Sequence, residues 1–299
     1  MIPHRIGARD GFLIAIICFA WAGNFITTAL GVRELPPILF SAVRMGILAV
    51  VLLPFLKIPA RKQWSRLTVV ALNNGAIHLS LCAIALKLAG DLASPAIALQ
   101  SYVPMSALLA WWLLGERFAW RTGLAIAICF GGVLILGFDP IVLDKPSALW
   151  TMLAAAFFLA LGTIWMRGLQ GVDVIQQQGW SALISVLPMA AVSFLLETDV
   201  VPSITNASMT TWACVTYSAL VSSLLGHGLY FALVKRHPVA QITPYLLCAP
   251  VMAVLFGILV WGDKPGPKLW IGGAMVIGGV LIIAYRNIVK SKSSSRPKQ

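Results

Sequence analysis

The chain has 299 residues, of which 59% are hydrophobic and only 11% charged, and its formal net charge is +12. A soluble domain carries about 25% charged residues, so a water-exposed globule is excluded and the chain reads as an all-α integral membrane protein. A transmembrane β-barrel is excluded as well, because its strands alternate polar and apolar residues and the apolar runs here do not.

Ten runs of the roughly 20 apolar residues that cross a bilayer follow one another, at 11–31, 37–56, 67–87, 93–114, 121–138, 147–167, 178–196, 211–234, 239–261 and 268–286. The first follows Arg5 and Arg9 and has the look of a signal peptide. It is long, lacks a convincing small-x-small cleavage site and is followed by nine more spans, so it is expected to be retained.

With the N-terminus inside, the cytoplasmic segments hold 16 basic residues: Arg5, Arg9, Lys57, Arg61, Lys62, Arg66, Arg117, Arg121, Arg167, Lys235, Arg236, Arg286, Lys290, Lys292, Arg296 and Lys298. The outer segments hold five: Arg33, Lys87, Lys145, Lys264 and Lys268. This bias predicts both termini in the cytoplasm and accounts for the net charge. It is not a nucleic-acid footprint, because no folded basic domain exists to carry one. Residues 287–299 read as a disordered basic tail.

An ionisable group inside hydrocarbon costs roughly 2.5–3.5 kcal/mol on insertion scales, so those within spans are informative. No Asp or Glu lies deep in a span; Arg44, His78 and His227 do. Arg44 sits seven residues into the second span, roughly 10 Å deep at 1.5 Å per residue. It either meets a substrate carboxylate or is a structural cation that snorkels and holds its helix. His78 shares a helical face with Asn74 and Cys82, which suits a wet cavity, and His227 with Tyr230 is its rough counterpart. Gln100, Ser101 and Tyr102 precede Pro104, and Gln241, Thr243 and Tyr245 precede Pro250. A proline inside a helix frees a carbonyl and kinks the chain, which membranes tolerate where the helix faces protein or a wet cavity. The substrate-binding candidates are Asn24, Asn74, His78, Gln100, Tyr102, Thr163, Trp165, His227, Tyr230 and Tyr245, with Arg44 beside them. Trp111, Trp112, Trp150, Trp212, Trp261 and Trp270 read as interfacial anchors.

The chain contains itself twice. Residues 111–137 repeat at 258–284 with a constant offset of 147 and no gap: Gly115 pairs with Gly262, Glu116 with Asp263, Arg121 with Lys268, and residues 131–135 with 278–282. Lys87 against Lys235 and Pro104 against Pro250 match more loosely. Five spans per half is an odd number, so the second half is inverted in the membrane, the pattern of a secondary transporter. The units are residues 1–138 and 147–286, joined by a periplasmic loop at 139–146.

Ten spans in a 5+5 inverted repeat, the Gly115-Glu116-Arg117 end of the fourth span and the Gly-rich fifth resemble the drug/metabolite transporter superfamily, EamA type. So do Trp21-Ala22-Gly23-Asn24-Phe25, Pro36-Pro37 with Arg44, Leu92-Ala93-Ser94 and the proline-bearing spans four and nine. The resemblance covers about residues 10–285. It implies export of amino acids and related metabolites, such as cysteine-pathway compounds, threonine or aromatic amino acids, across the bacterial inner membrane. Asp263-Lys264 departs from the family's second Gly-Glu, a change expected to carry little consequence.

No P-loop is present, so ATP does not drive this chain, and no nucleophile-base set or metal-ligand spacing speaks for an enzyme, a cofactor or a metal. The five cysteines, Cys18, Cys82, Cys129, Cys214 and Cys248, read as apolar fillers. Gly123, Ala127 and Gly131, with Ala274 and Gly278, form a small-residue stripe expected to pack one half on the other in a monomer. The expected partners are a small-molecule substrate and the bilayer. The rival functions are a nucleotide-sugar or phosphorylated-metabolite exchanger, which should show several cavity cations, and a cationic-drug pump, which should show a membrane Glu.

Overall fold

A computed structural model describes residues 7–169, 171–234, 236–237 and 239–294; Arg5, Lys235, Arg296 and Lys298 lie outside the described residues, as do the side chains of Gln241 and Thr243. The described residues are helical, with no strand among them. Among the described residues, nine helices are long and apolar enough to cross a membrane: α1 (Ala8–Gly31), α2 (Pro37–Phe55), α3 (Arg61–Ala89), α4 (Ala93–Leu114), α5 (Trp120–Gly137), α6 (Pro146–Met166), α7 (Val174–Leu196), then, after α8, α9 (239–261, with Pro244–Trp261 the apolar part) and α10 (Pro267–Ser294). The remaining crossing is α8, which runs without a break over 209–234 as α-helix, π-helix and α-helix.

Helix ends follow local chemistry. Pro37, Pro146 and Pro267 open α2, α6 and α10, where a missing N–H leaves nothing unpaired. Asp173 and Ser208 cap α7 and α8 with side-chain oxygens. Gly115 and Gly262 end α4 and α9 at φ 65° and 82°, the left-handed region that only glycine enters without penalty. The final helix overruns the expected tail: residues 287–294 are helical rather than disordered.

Packing respects the internal repeat. Helices α2 and α7 lie together, as do α5 and α10, and α4 and α9, each a repeat pair. The contact of α1 with α8 is matched by that of α6 with α3, and α1 with α9 by α6 with α4. Exchanging the halves maps this packing onto itself, as a two-fold axis requires. Helices α5 and α10 pack closest. A methyl on Gly272 would strike the Gly132 carbonyl, and one on Gly279 would strike Cys129 Sγ. The seam therefore uses Gly132, Gly272 and Gly279. The stripe expected from sequence lies one residue aside, with Ala127 and Ala274 exposed and open space around Gly278.

Both proline kinks are present. The break before Pro104 falls at Gln100–Ser101, whose freed Gln100 carbonyl accepts from Val103 N–H at 3.1 Å. The break before Pro250 falls at Leu247, and the Cys18 thiol lies 3.7 and 4.0 Å from the carbonyls of Tyr245 and Leu246.

At the end of the bundle opposite the termini, carboxylates of one half sit on helix starts of the other. Glu197 accepts from the N–H groups of Ile38 and Leu39 at 2.8 and 3.0 Å, and Glu34 from Ser208 N–H and the Thr211 hydroxyl at 2.7 and 2.8 Å. Asp139 accepts from Leu269 N–H at 2.8 Å, and Asp263 from Leu92 and Ala93 N–H at 2.9 and 3.0 Å. Each places negative charge on the positive end of a helix.

Candidate functional site

Arg44 is 6% exposed in the middle of the bundle. Its Nε and Nη2 both donate to Ser223 Oγ on α8, at 3.1 and 2.8 Å. Ser223 Oγ donates in turn to the Ser218 carbonyl at 3.1 Å; Ser218 Oγ lies 3.3 Å from Thr27 Oγ1, which donates to the Asn24 carbonyl. This chain of hydroxyls links α2, α8 and α1. No carboxylate pairs with Arg44 among the described residues. A buried cation without a counter-ion is a costly arrangement.

The local folding that makes this possible is a pair of π-helical stretches, Ala71–Ile77 in α3 and Tyr217–Gly226 in α8. Shifting the first by 147 places it inside the second, so both repeats carry the same defect at the same depth. A π-turn widens the backbone and leaves carbonyls free for side chains. Ser223 uses Ser218 O, five residues back, and His227 Nδ1 lies 3.2 Å from both Ser222 O and Ser223 O. Ser185 of α7 donates to Ala71 O at 3.0 Å.

His78 Nδ1 lies 2.9 Å from Ala155 O on α6. For both histidines a carbonyl, which only accepts, lies against Nδ1, so Nδ1 carries a proton and Nε2 is the ring atom left to accept when the ring is neutral. Cys82 Sγ is 3.7 Å from His78 Nδ1 and 3.8 Å from Met152 Sδ, as their shared face predicts. Trp21 stands against His227 and Tyr230, with centroids 5.2 and 6.0 Å apart.

Several buried polar atoms in this region have no protein partner: Trp21 Nε1, Asn24 Oδ1, Thr28 Oγ1, Asn74 Oδ1 and Ser101 Oγ. Asn74 Oδ1 faces the bare backbone of Gly162 on α6. Unmade hydrogen bonds at buried groups cost about 1–3 kcal/mol each, and a polar ligand removes that cost. The set combines a guanidinium and an indole N–H with acceptors on Asn24, Asn74, His78 and His227.

Of the residues singled out from sequence, Arg44 and His227 are joined through Ser223, with Asn24 and Tyr230 beside them by way of Thr27 and Trp21. His78 and Asn74 form the α3–α6 wall. Gln100 and Tyr102 flank the α4 break, half-buried. Thr163 commits its hydroxyl to Leu159 O at 2.7 Å on its own helix. Trp165 and Tyr245 are 43% and 50% exposed and stand outside the buried cluster. Sequence reading missed Trp21, Ser218 and Ser223, and noted Ser101 beside Gln100 without placing it among the candidates. Trp21 had a signal, since it sits at mid-span, away from the interfaces where Trp is an anchor; isolated serines had none.

The two half-chains are also visible to comparison. The model of the EamA-like transporter family matches residues 11–138 and 146–285. The chain belongs to this family. Among its EamA relatives, a probable amino-acid metabolite efflux pump of Salmonella typhimurium is 28% identical over 292 residues, covering 94% of this chain and 95% of that protein. Its Escherichia coli counterpart is 25% identical, with coverages of 94% and 98%. A probable terminal-alkyne amino-acid exporter of Streptantibioticus cattleyicolor is 25% identical over 76% of this chain and 72% of that one. One solved crystal structure overlays with a TM-score of 0.61 at 20% identity, covering 94% of this chain and 99% of the other, and shares its fold. This EamA protein is thus a multi-pass membrane transporter and not an enzyme.

Proposed function

We propose that this transporter exports small amino-acid metabolites from the cytoplasm by alternating access, with both termini inside. The substrate carboxylate meets Arg44 and Trp21 Nε1, and its ammonium group meets acceptors drawn from Asn24, Asn74 and the Nε2 atoms of His78 and His227. The observation that carries this reading is Arg44, buried, held by one hydroxyl and, among the described residues, without a carboxylate partner. The single cation beside several neutral acceptors suits a zwitterion better than a doubly charged phosphate ester. The names of the relatives agree with amino-acid export.

The test is transport into proteoliposomes across a panel of amino acids, nucleosides, organic cations and phosphorylated sugars. Amino-acid transport that falls at least about tenfold in both His78→Ala and Arg44→Gln supports the site, since each loses a charge-assisted hydrogen bond. Transport of phosphorylated sugars without amino acids would overturn the substrate class.

A further inference from the structure

The end of α4 and the end of α9 are one motif in two places. Gly115 turns left-handed and the N–H of Glu116 returns to the Ala110 carbonyl at 3.2 Å; Gly262 does the same and Asp263 N–H returns to Gly257 at 2.9 Å. Every residue of the first is related to the second by 147. The acidic side chains nevertheless differ in what they hold. Asp263 is 8% exposed and caps the start of α4 through Leu92 and Ala93 N–H. Glu116 points away, paired with Arg167 at 2.8 Å, both side chains about half exposed, at 48% and 50%.

Shifted by 147, Leu92 and Ala93 become Val239 and Ala240, the first residues of α9. Since α4 and α9 are antiparallel neighbours, the end of each lies toward the start of the other. By the repeat, the N–H groups of Val239 and Ala240 are the seat on α9 equivalent to the one Asp263 takes on α4, and Glu116 here pairs with Arg167 instead. The two positions also compensate in size. Asp263 enters over bare Gly257, where a methyl would overlap its Oδ2. The matching residue beneath Glu116 is Ala110, and Glu is one methylene longer.

We propose that Asp263 and Glu116 are alternate latches of one cycle. With Asp263 bonded to the start of α4, as it is here, α4 and α9 are tied together at the outer end. When Asp263 leaves, Glu116 gives up Arg167 and takes the N–H groups of Val239 and Ala240, shutting the inner end. The present state is braced at the outer end by Trp261 Nε1 donating to Gly90 O at 2.9 Å, with the Arg33 guanidinium 4.3 Å from the Trp261 ring. At the inner end the partner of the Glu116 side chain among the described residues is Arg167, a solvent-screened pair, which is weak. This inference rests on the alternating-access reading above.

The experiment uses pairs of spin labels in an otherwise cysteine-free full-length protein in lipid nanodiscs. One pair, at Leu88 and Lys264, spans the outer end; the other, at Arg117 and Arg236, spans the inner end. Asp263→Asn keeps shape and weakens the outer latch, so its long-outer, short-inner population should rise about tenfold relative to the parent, the worth of a charge-assisted bond. Glu116→Gln should shift the populations the opposite way, and the double variant should return near the parent ratio. Unchanged distances in both single variants, with amino-acid transport intact in the parent, would overturn the latches and leave the function standing. Shifted distances in a parent that moves no amino acid would do the reverse.

Discussion

Arg44 and Ser223 meet across α2 and α8, with two guanidinium nitrogens converging on one hydroxyl at 3.1 and 2.8 Å. Ser223 reaches that position because α8 is π-helical there and its hydroxyl can still donate five residues back. A neutral hydroxyl fixes the direction of the guanidinium without neutralising it. The cation is oriented and left electrically unanswered.

From this follows a separation of stability from function. Replacing even a buried ion pair with apolar residues of similar volume is often neutral or stabilising, by roughly 1–4 kcal/mol, and Arg44 leaves no carboxylate behind among the described residues. Arg44→Met should therefore keep or raise the thermal midpoint in detergent while transport falls by at least about tenfold. A variant that unfolds while its remaining folded fraction transports normally would make Arg44 a structural cation.

The helix start at Ala93 gives a pH dependence. Asp91 is 3% exposed and accepts from Ser94 N–H and the Ser94 hydroxyl at 2.7 and 2.9 Å. Burial pushes its carboxyl up to about 6, with neighbouring Asp263 adding to the rise and the Ser94 bonds and Lys145 opposing it. Burial raises Asp263 as well. A carboxyl raised in the folded state takes up its proton there first, so stability grows as pH falls through about 6 toward the ordinary value of 3.8. Between pH 7.5 and 5 the gain should be on the order of 1 kcal/mol, read as a higher thermal midpoint, and Asp91→Asn should flatten it. Glu34, lowered chiefly by the Ser208 N–H, acts oppositely and only below the ordinary carboxylate range.

The α5–α10 seam predicts a sharp positional contrast. Gly272→Val must push α10 off the Gly132 carbonyl, an overpacking cost of about 1–3 kcal/mol, and should lower the thermal midpoint. Gly278→Ala, six residues on and facing open space, should leave it unchanged. Equal losses in both would place the seam elsewhere.

Topology is checked at Leu143, 52% exposed in the short helix Pro140–Leu143 between α5 and α6. A cysteine there should react with a membrane-impermeant maleimide in intact cells. Labelling only after permeabilisation would invert the orientation and with it the sense of both latches.

Most of the helices and the repeat were legible because apolar length and a gapless offset are one-dimensional signals. The buried identity of Arg44 was legible too, since only a functional or well-braced cation survives at that depth. What sequence concealed is contact that crosses between halves. Asp263 read as an inconsequential variant of Gly-Glu, and only its distance to Leu92 and Ala93 shows what it caps. Gly131 and Gly132 are indistinguishable in sequence, and helix rotation, set by the partner surface, decided which one faces α10. Thr163 had the right residue type at the right depth, but its own helix offered a nearer acceptor at Leu159.

The matched π-stretches in α3 and α8 bear on how the two halves could diverge. A π-turn accommodates a surplus residue without shifting the helix on either side. The two stretches already differ in length, at seven and ten residues, and His78 and His227, which directly follow them, stand 149 apart rather than 147. The central helices are places where the chain can gain or lose one residue and still present its cavity, so single-residue insertions at 71–77 or 217–226 should be inherited far more readily than anywhere along the glycine seam.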